Sequence, residues 1–173
     1  MYARQRCSDG KQHDQKTGSS KLRRHPQPLG LSVVKSTLQA GLQYKFSYTV
    51  PENKTVPHLY PESESFQQMP QVLATGFMVG LMEWACIEAI KPHLDWPREQ
   101  SLGTLVNFPH LAATPPGLTI TVDVTLEKVD GRRLFFSVVA HDGVDRITEG
   151  THERVVIDKQ KFVSRIAGKK PRT

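Results

Sequence analysis

Residues 74–94 read ATGFMVGLMEWACIEAIKPHL. Apolar side chains fill almost every position from Phe77 to Ile90, so a helix here must be covered nearly all round. Thr75 stands where a capping residue belongs, and Pro92 disfavours smooth continuation past Ile90. Glu83 and Glu88 interrupt the run, which falls short of the ~20 apolar residues a membrane span requires. The segment therefore reads as the buried helix of a folded domain.

Its flanks supply the cover. Upstream, LQYKFSYTV (42–50) alternates, with Leu42, Tyr44, Phe46 and Tyr48 on one side, and Pro51 ends that strand. Downstream, Leu102 to Ala113 is a candidate strand of imperfect pattern that would carry His110. Leu118, Ile120, Val122, Val124 and Leu126 then alternate cleanly with polar residues, as a half-buried strand does. Asp130-Gly131 and Asp142-Gly143 are turn signals, so Leu134–His141 and Arg146–Ile157 should run antiparallel to their neighbours. Phe162 and Ile166 predict a short terminal helix. One strand, one apolar helix and about four further strands make an α+β domain. An antiparallel sheet wrapped around a long central helix, the hotdog arrangement, buries that helix best.

The net charge of +6 lies outside this domain. Residues 1–36 hold eight Lys or Arg against Asp9 and Asp14, which accounts for all of it. We read residues 1–40 as a basic, solvated extension, 41–165 as the hotdog domain and 166–173 as a basic tail. The extension has Tyr2 as its only aromatic and the domain carries no basic motif, which argues against nucleic-acid binding. Cys7 and Cys86 make a poor disulfide pair and a poor metal site, and the simplest compartment is reducing and cytoplasmic. A mitochondrial presequence is the alternative, with Asp9 and Asp14 counting against it.

Glu83 is the anomaly. A carboxylate among Val79, Met82, Trp84, Cys86 and Ile87 loses hydration, at a cost of several kcal/mol unless it is paired or protonated. It is either a general base or nucleophile, or a structural ion pair or solvent-facing acid; spacing alone leaves both open. Gly76 and Gly80 share a stripe of the helix, where another backbone or a substrate could approach closely. The helix N-terminus near Gly76 offers amides that could polarise a carbonyl oxygen, although Thr75 there reads first as a cap. His110 on a strand is by itself more often structural than catalytic. No metal-ligand spacing, nucleophile elbow or phosphate-binding loop occurs, so neither metal nor cofactor is expected.

The segments KTVPHLYPES (54–63), ATGFMVGLMEWAC (74–86), SLGT (101–104), HLAATPPGLTITV (110–122) and AHDGVDRITEGTHERVVI (140–157) together resemble the fluoroacetyl-CoA thioesterase family of hotdog enzymes. The likeness spans roughly residues 42–162. It implies a homodimer hydrolysing a short acyl-CoA, with Thr75, Glu83 and His110 as the catalytic set. Phe66, Met69, Gly76, Gly103 and Arg154 would then contact or support the substrate. The fluoroacetyl-selective enzyme has a second lid phenylalanine where this chain has Met69, which implies a different or broader acyl range. Lys128, Arg132, Arg133 and Arg146, near turns, are candidate partners for the CoA phosphates, although any one of them reads first as an ordinary solvated charge. A non-catalytic acyl-CoA-binding hotdog domain is the main rival reading, and a hotdog hydratase a second.

Overall fold

The computed structural model describes residues 34–170; residues 1–33 of the expected extension and 171–173 of the tail lie outside it. Five antiparallel strands form one sheet: β1 (Gln43–Thr49), β2 (Glu99–Asn107), β3 (Thr119–Asp130), β4 (Arg133–His141) and β5 (Arg146–Asp158). Their order is β1-β3-β4-β5-β2, so β1 and β2 are the edges. The helices are α1 (Glu64–Gln67), α2 (Thr75–Ile90) and α3 (Lys159–Ala167).

Alternation aligns the inward side chains across the sheet. Phe46 is opposite Val122, Val122 opposite Ala140, and Val124 opposite Val138. Ile120, Val122, Leu134, Phe136, Val138 and Ala140 are at most 1% exposed, and they enclose Met78, Met82 and Cys86 of α2 in one core. Each large side chain so buried contributes roughly 1.5–3 kcal/mol. Gly131 and Gly143 adopt φ of +60° and +90° at the two turns flanking β4, where an L side chain would be strained.

Four expectations need correction. A single chain does not bury α2 all round: Gly76, Gly80 and Trp84 are exposed, and Val79, Glu83 and Ile87 are half-buried beside them. The sheet covers the opposite face of α2, where Met78, Leu81, Met82, Ala85 and Ala89 lie. β2 starts and ends earlier than its pattern predicts, so His110 lies in the following loop; Pro109 cannot donate to a ladder, and Pro115 and Pro116 follow closely. Ala74 is the N-cap of α2 without a side-chain cap bond, and Thr75 is the first helical residue. At the other end of the helix, Val34 and Leu38 are 6% and 4% exposed within the core, so this part of the stretch read as solvated extension packs with the domain instead, because its apolar side chains fill the interior. Lys35 Nζ donates to Leu94 O at 2.8 Å, and Thr37 Oγ1 meets His93 Nδ1 at 3.1 Å.

Candidate active site

Glu83 projects from α2 toward edge strand β2 and the neighbouring β5. Its Oε1 lies 3.3 Å from Arg154 Nη1 and 3.5 Å from His152 Nε2, and its side chain is 35% exposed. The acid is therefore ion-paired while keeping an open side. Arg154 is itself held hard: Nε donates to Ser101 Oγ and Nη2 to Ser101 O, both at 2.9 Å. The pairing of β2 with β5 sets Gly103 opposite Arg154, with a bulge between Gly103 and Leu105. Gly103 has no room for a side chain, since a Cβ there would overlap Glu83 Oε1 and crowd His152 Cε1 at 3.1 Å.

His152 completes the cluster, and sequence reasoning did not single it out. It is fully buried, and its Nδ1 donates to Leu105 O at 2.7 Å, which leaves Nε2 to accept from Arg154 Nη1 at 2.9 Å. Burial holds its imidazole below the usual histidine range, consistent with this neutral tautomer. The available signal is that His152 and Arg154 fall on the face Val156 marks as buried, at alternate positions of one strand.

Thr75 and His110 form a second group. Thr75 Oγ1 meets His110 Nδ1 at 2.9 Å at the start of α2. His110 Nε2 is buried and makes no well-formed hydrogen bond among the described residues; burial lowers the pKa of the ring, against a smaller opposing effect of the Ala112 backbone. Two bonds fix the loop that bears His110: Leu111 N to Ile147 O and Leu73 N to Thr114 O. Thr114 Oγ1 in turn donates to Asp142 Oδ2 at 2.9 Å in the β4–β5 turn.

The structure thus brings Thr75 to His110, and Glu83 to Arg154 and Gly103, but it does not join the two groups within one chain. Thr75 and Glu83 are eight residues apart on α2, about 12 Å at ~1.5 Å per residue. No hydrogen bond or ion pair links them among the described residues. Gly76 accommodates Leu59, whose Cδ1 would be 3.1 Å from an added Cβ. That contact and the bond from Ala74 N to Lys54 O fasten the preceding segment to the Thr75 end of the helix. Phe66 belongs to this segment and packs tilted against Tyr60 with ring centroids 5.4 Å apart; Met69 is 52% exposed. Cys86 is buried and its thiol is pushed up to about 12 by burial, so it is no nucleophile.

The five-stranded antiparallel sheet packed on one apolar helix, together with its likeness to solved structures, places the chain among the hotdog-fold thioesterases. A thioesterase superfamily member from Thermus thermophilus is 30% identical, with a TM-score of 0.64 over 74% of this chain and 90% of that one. Within that class the chain belongs to the fluoroacetyl-CoA-specific thioesterase family, whose model matches residues 50–160. The fluoroacetyl-CoA thioesterase of Streptantibioticus cattleyicolor is 54% identical over 138 residues, covering 80% of this chain and 99% of that protein. A threonine-to-alanine variant of a fluoroacetyl-CoA thioesterase, solved with fluoroacetate, has a TM-score of 0.74 at 54% identity, over 78% of this chain and all of that one. A phenylalanine-to-alanine variant of a fluoroacetyl-CoA-specific thioesterase, solved with fluoroacetate and CoA, has a TM-score of 0.70 at 57% identity, over 72% and 99% of the two chains.

Proposed function

We propose that this protein hydrolyses short acyl-CoA thioesters to the free acid and CoA, as a homodimer in which each active site draws on both protomers. The observation that carries this reading is the division of the site into two prebuilt halves, Thr75–His110 and Glu83–Arg154–Gly103, held apart along one helix.

The edge strand supplies a way to unite them. Leu102, Leu105 and Val106 of β2 are 37–45% exposed, beside the uncovered Gly80 and Glu83 face of α2. Such an edge favours pairing with another strand. A two-fold pairing of residues 102–107 with their own copy is antiparallel, so Leu102 meets Asn107 of the other protomer. That register carries one protomer's His110 loop toward the other's Gly103, against which Glu83 rests.

In this arrangement the uncapped first turn of α2 offers amides to the thioester oxygen. Glu83 attacks the carbonyl carbon to give an acyl-glutamyl anhydride that water then opens to the free acid, or it removes a proton from the water that attacks directly. The C–S bond breaks and CoA leaves as a thiolate whose conjugate thiol has a pKa of ~8.5, which needs little acid assistance. Neutral His110, oriented by Thr75, carries the proton to or from water. The chemistry requires no metal or redox cofactor. Exposed, flexible Met69 in the lid segment fits a broader range of short acyl groups than a second aromatic would. A cytoplasmic setting accords with a reduced Cys86, and no helix among the described residues is long and apolar enough to cross a membrane.

The test is complementation. Glu83→Gln and His110→Ala should each lose nearly all acetyl-CoA hydrolysis, whereas mixing and refolding them together should restore activity, because one site of the hybrid dimer is intact. Absence of recovery from a demonstrated hybrid would overturn the shared site. A wild type inactive on every short acyl-CoA would overturn the hydrolase reading in favour of binding alone.

A further inference from the structure

The four cations singled out in sequence as candidate phosphate partners have different fates in the fold. Lys128 Nζ lies 3.2 Å from Asp130 Oδ2, Arg133 Nη2 lies 2.7 Å from Glu153 Oε2, and Arg146 pairs with Glu149. Arg132 is different. It sits in the β3–β4 turn, its carbonyl receives Val156 N at 2.8 Å, and its Nε is buried without a hydrogen-bond partner among the described residues. It lines a groove of about 200 Å³ with Ile157, Asp158, Lys161, Phe162 and Arg165.

We propose that this groove binds the phosphates of the CoA nucleotide, an inference that rests on the acyl-CoA reading above. Arg132, Lys161 and Arg165 bring three cations to one concavity. The carboxylate in its lining, Asp158, is engaged at Oδ1 by Lys161 N at 3.0 Å as the cap of α3. A buried guanidinium N–H without an acceptor is matched by phosphoryl oxygen, which guanidinium groups bind in charge-assisted pairs. Phe162 and Ile157 add apolar surface to the same groove, with the Arg165 guanidinium held over the Phe162 ring at 5.3 Å from its centroid. The α3 helix, which follows β5 directly, therefore acts as a nucleotide clamp.

The span agrees. Asp158 lies four residues beyond Arg154 on β5, about 13 Å at ~3.3 Å per residue. The pantetheine arm from sulfur to the diphosphate has about twelve chain bonds, the length of about four extended residues, or about 13–14 Å.

The experiment compares acetyl-CoA with acetyl-pantetheine, which lacks the nucleotide, on wild type, Arg132→Ala and Arg132→Ala/Lys161→Ala. The expected result is a KM for acetyl-CoA raised about tenfold in the double variant, with kcat unchanged and acetyl-pantetheine kinetics unaffected. An unaltered KM for acetyl-CoA, or an equal loss on both substrates, would overturn the proposal. Calorimetric binding of adenosine 3′,5′-bisphosphate separates the two readings. Binding that weakens in the variants without any wild-type hydrolysis supports the groove and sinks the hydrolase; hydrolysis with no binding difference does the reverse.

Discussion

Gly103 has its role because of what it lacks. Glu83 Oε1 occupies the space a methyl group would take, so Gly103→Ala must push the carboxylate away from Arg154 or bend β2. We expect kcat for acetyl-CoA to fall at least tenfold, the rate effect of ~1.4 kcal/mol, while circular dichroism retains the wild-type fold. His152 and His110 determine behaviour in acid. Burial depresses both below the ~6.5 of an unfolded histidine, so between the folded and unfolded values the unfolded chain binds more protons and stability rises with pH. Denaturant midpoints should therefore decline as pH drops below ~6.5, with a shallower decline in His152→Gln. The acid limb of kcat/KM should fall below pH ~6.5 as well, since the base form of His110 persists there.

Among the elements, β2 makes the clearest prediction. Leu105→Lys places a charge on its exposed edge, and light scattering should report a smaller species with reduced activity and unchanged secondary structure. A wild type that is already monomeric and fully active would remove the basis for that expectation. The β4–β5 turn makes another. Asp142 accepts from Thr114 Oγ1, Val144 N and Asp145 N, so Asp142→Ala leaves several polar groups unsatisfied and should cost about 2–3 kcal/mol in urea unfolding. Much of this architecture is legible in sequence because its signals are local. The apolar run of α2, the period-two pattern of β3 and the Asp-Gly turns each declare themselves within a dozen residues. The His152–Arg154–Glu83 cluster does not, because it exists only once β5 pairs with β2 and α2 lies beneath them. The end of β2 is similarly obscured, since Leu111 and Ala112 extend an apolar pattern that Pro109 has already broken.

For the molecule as a whole, the one-chain fold leaves a feature that the apolar sequence of α2 could not disclose: the Gly80 and Glu83 face is open, next to an open edge. Sequence pattern says that a helix must be covered without saying whose chain covers it. The Thr75–His110 and Glu83 groups are likewise recognisable as residues, while their separation of about 12 Å emerges only from the helix between them. Val34 and Leu38 carry a practical consequence. They lie before the first strand, in a stretch whose composition looks dispensable, yet both fill the interior. An expression clone trimmed to begin at Leu42 would discard two hydrophobic plugs, each contributing up to roughly 1.5–3 kcal/mol, together with the Lys35 tether to Leu94. Such a shortened protein should melt well below its parent in calorimetry, so cloning boundaries drawn from the strand pattern alone would yield a fragile sample.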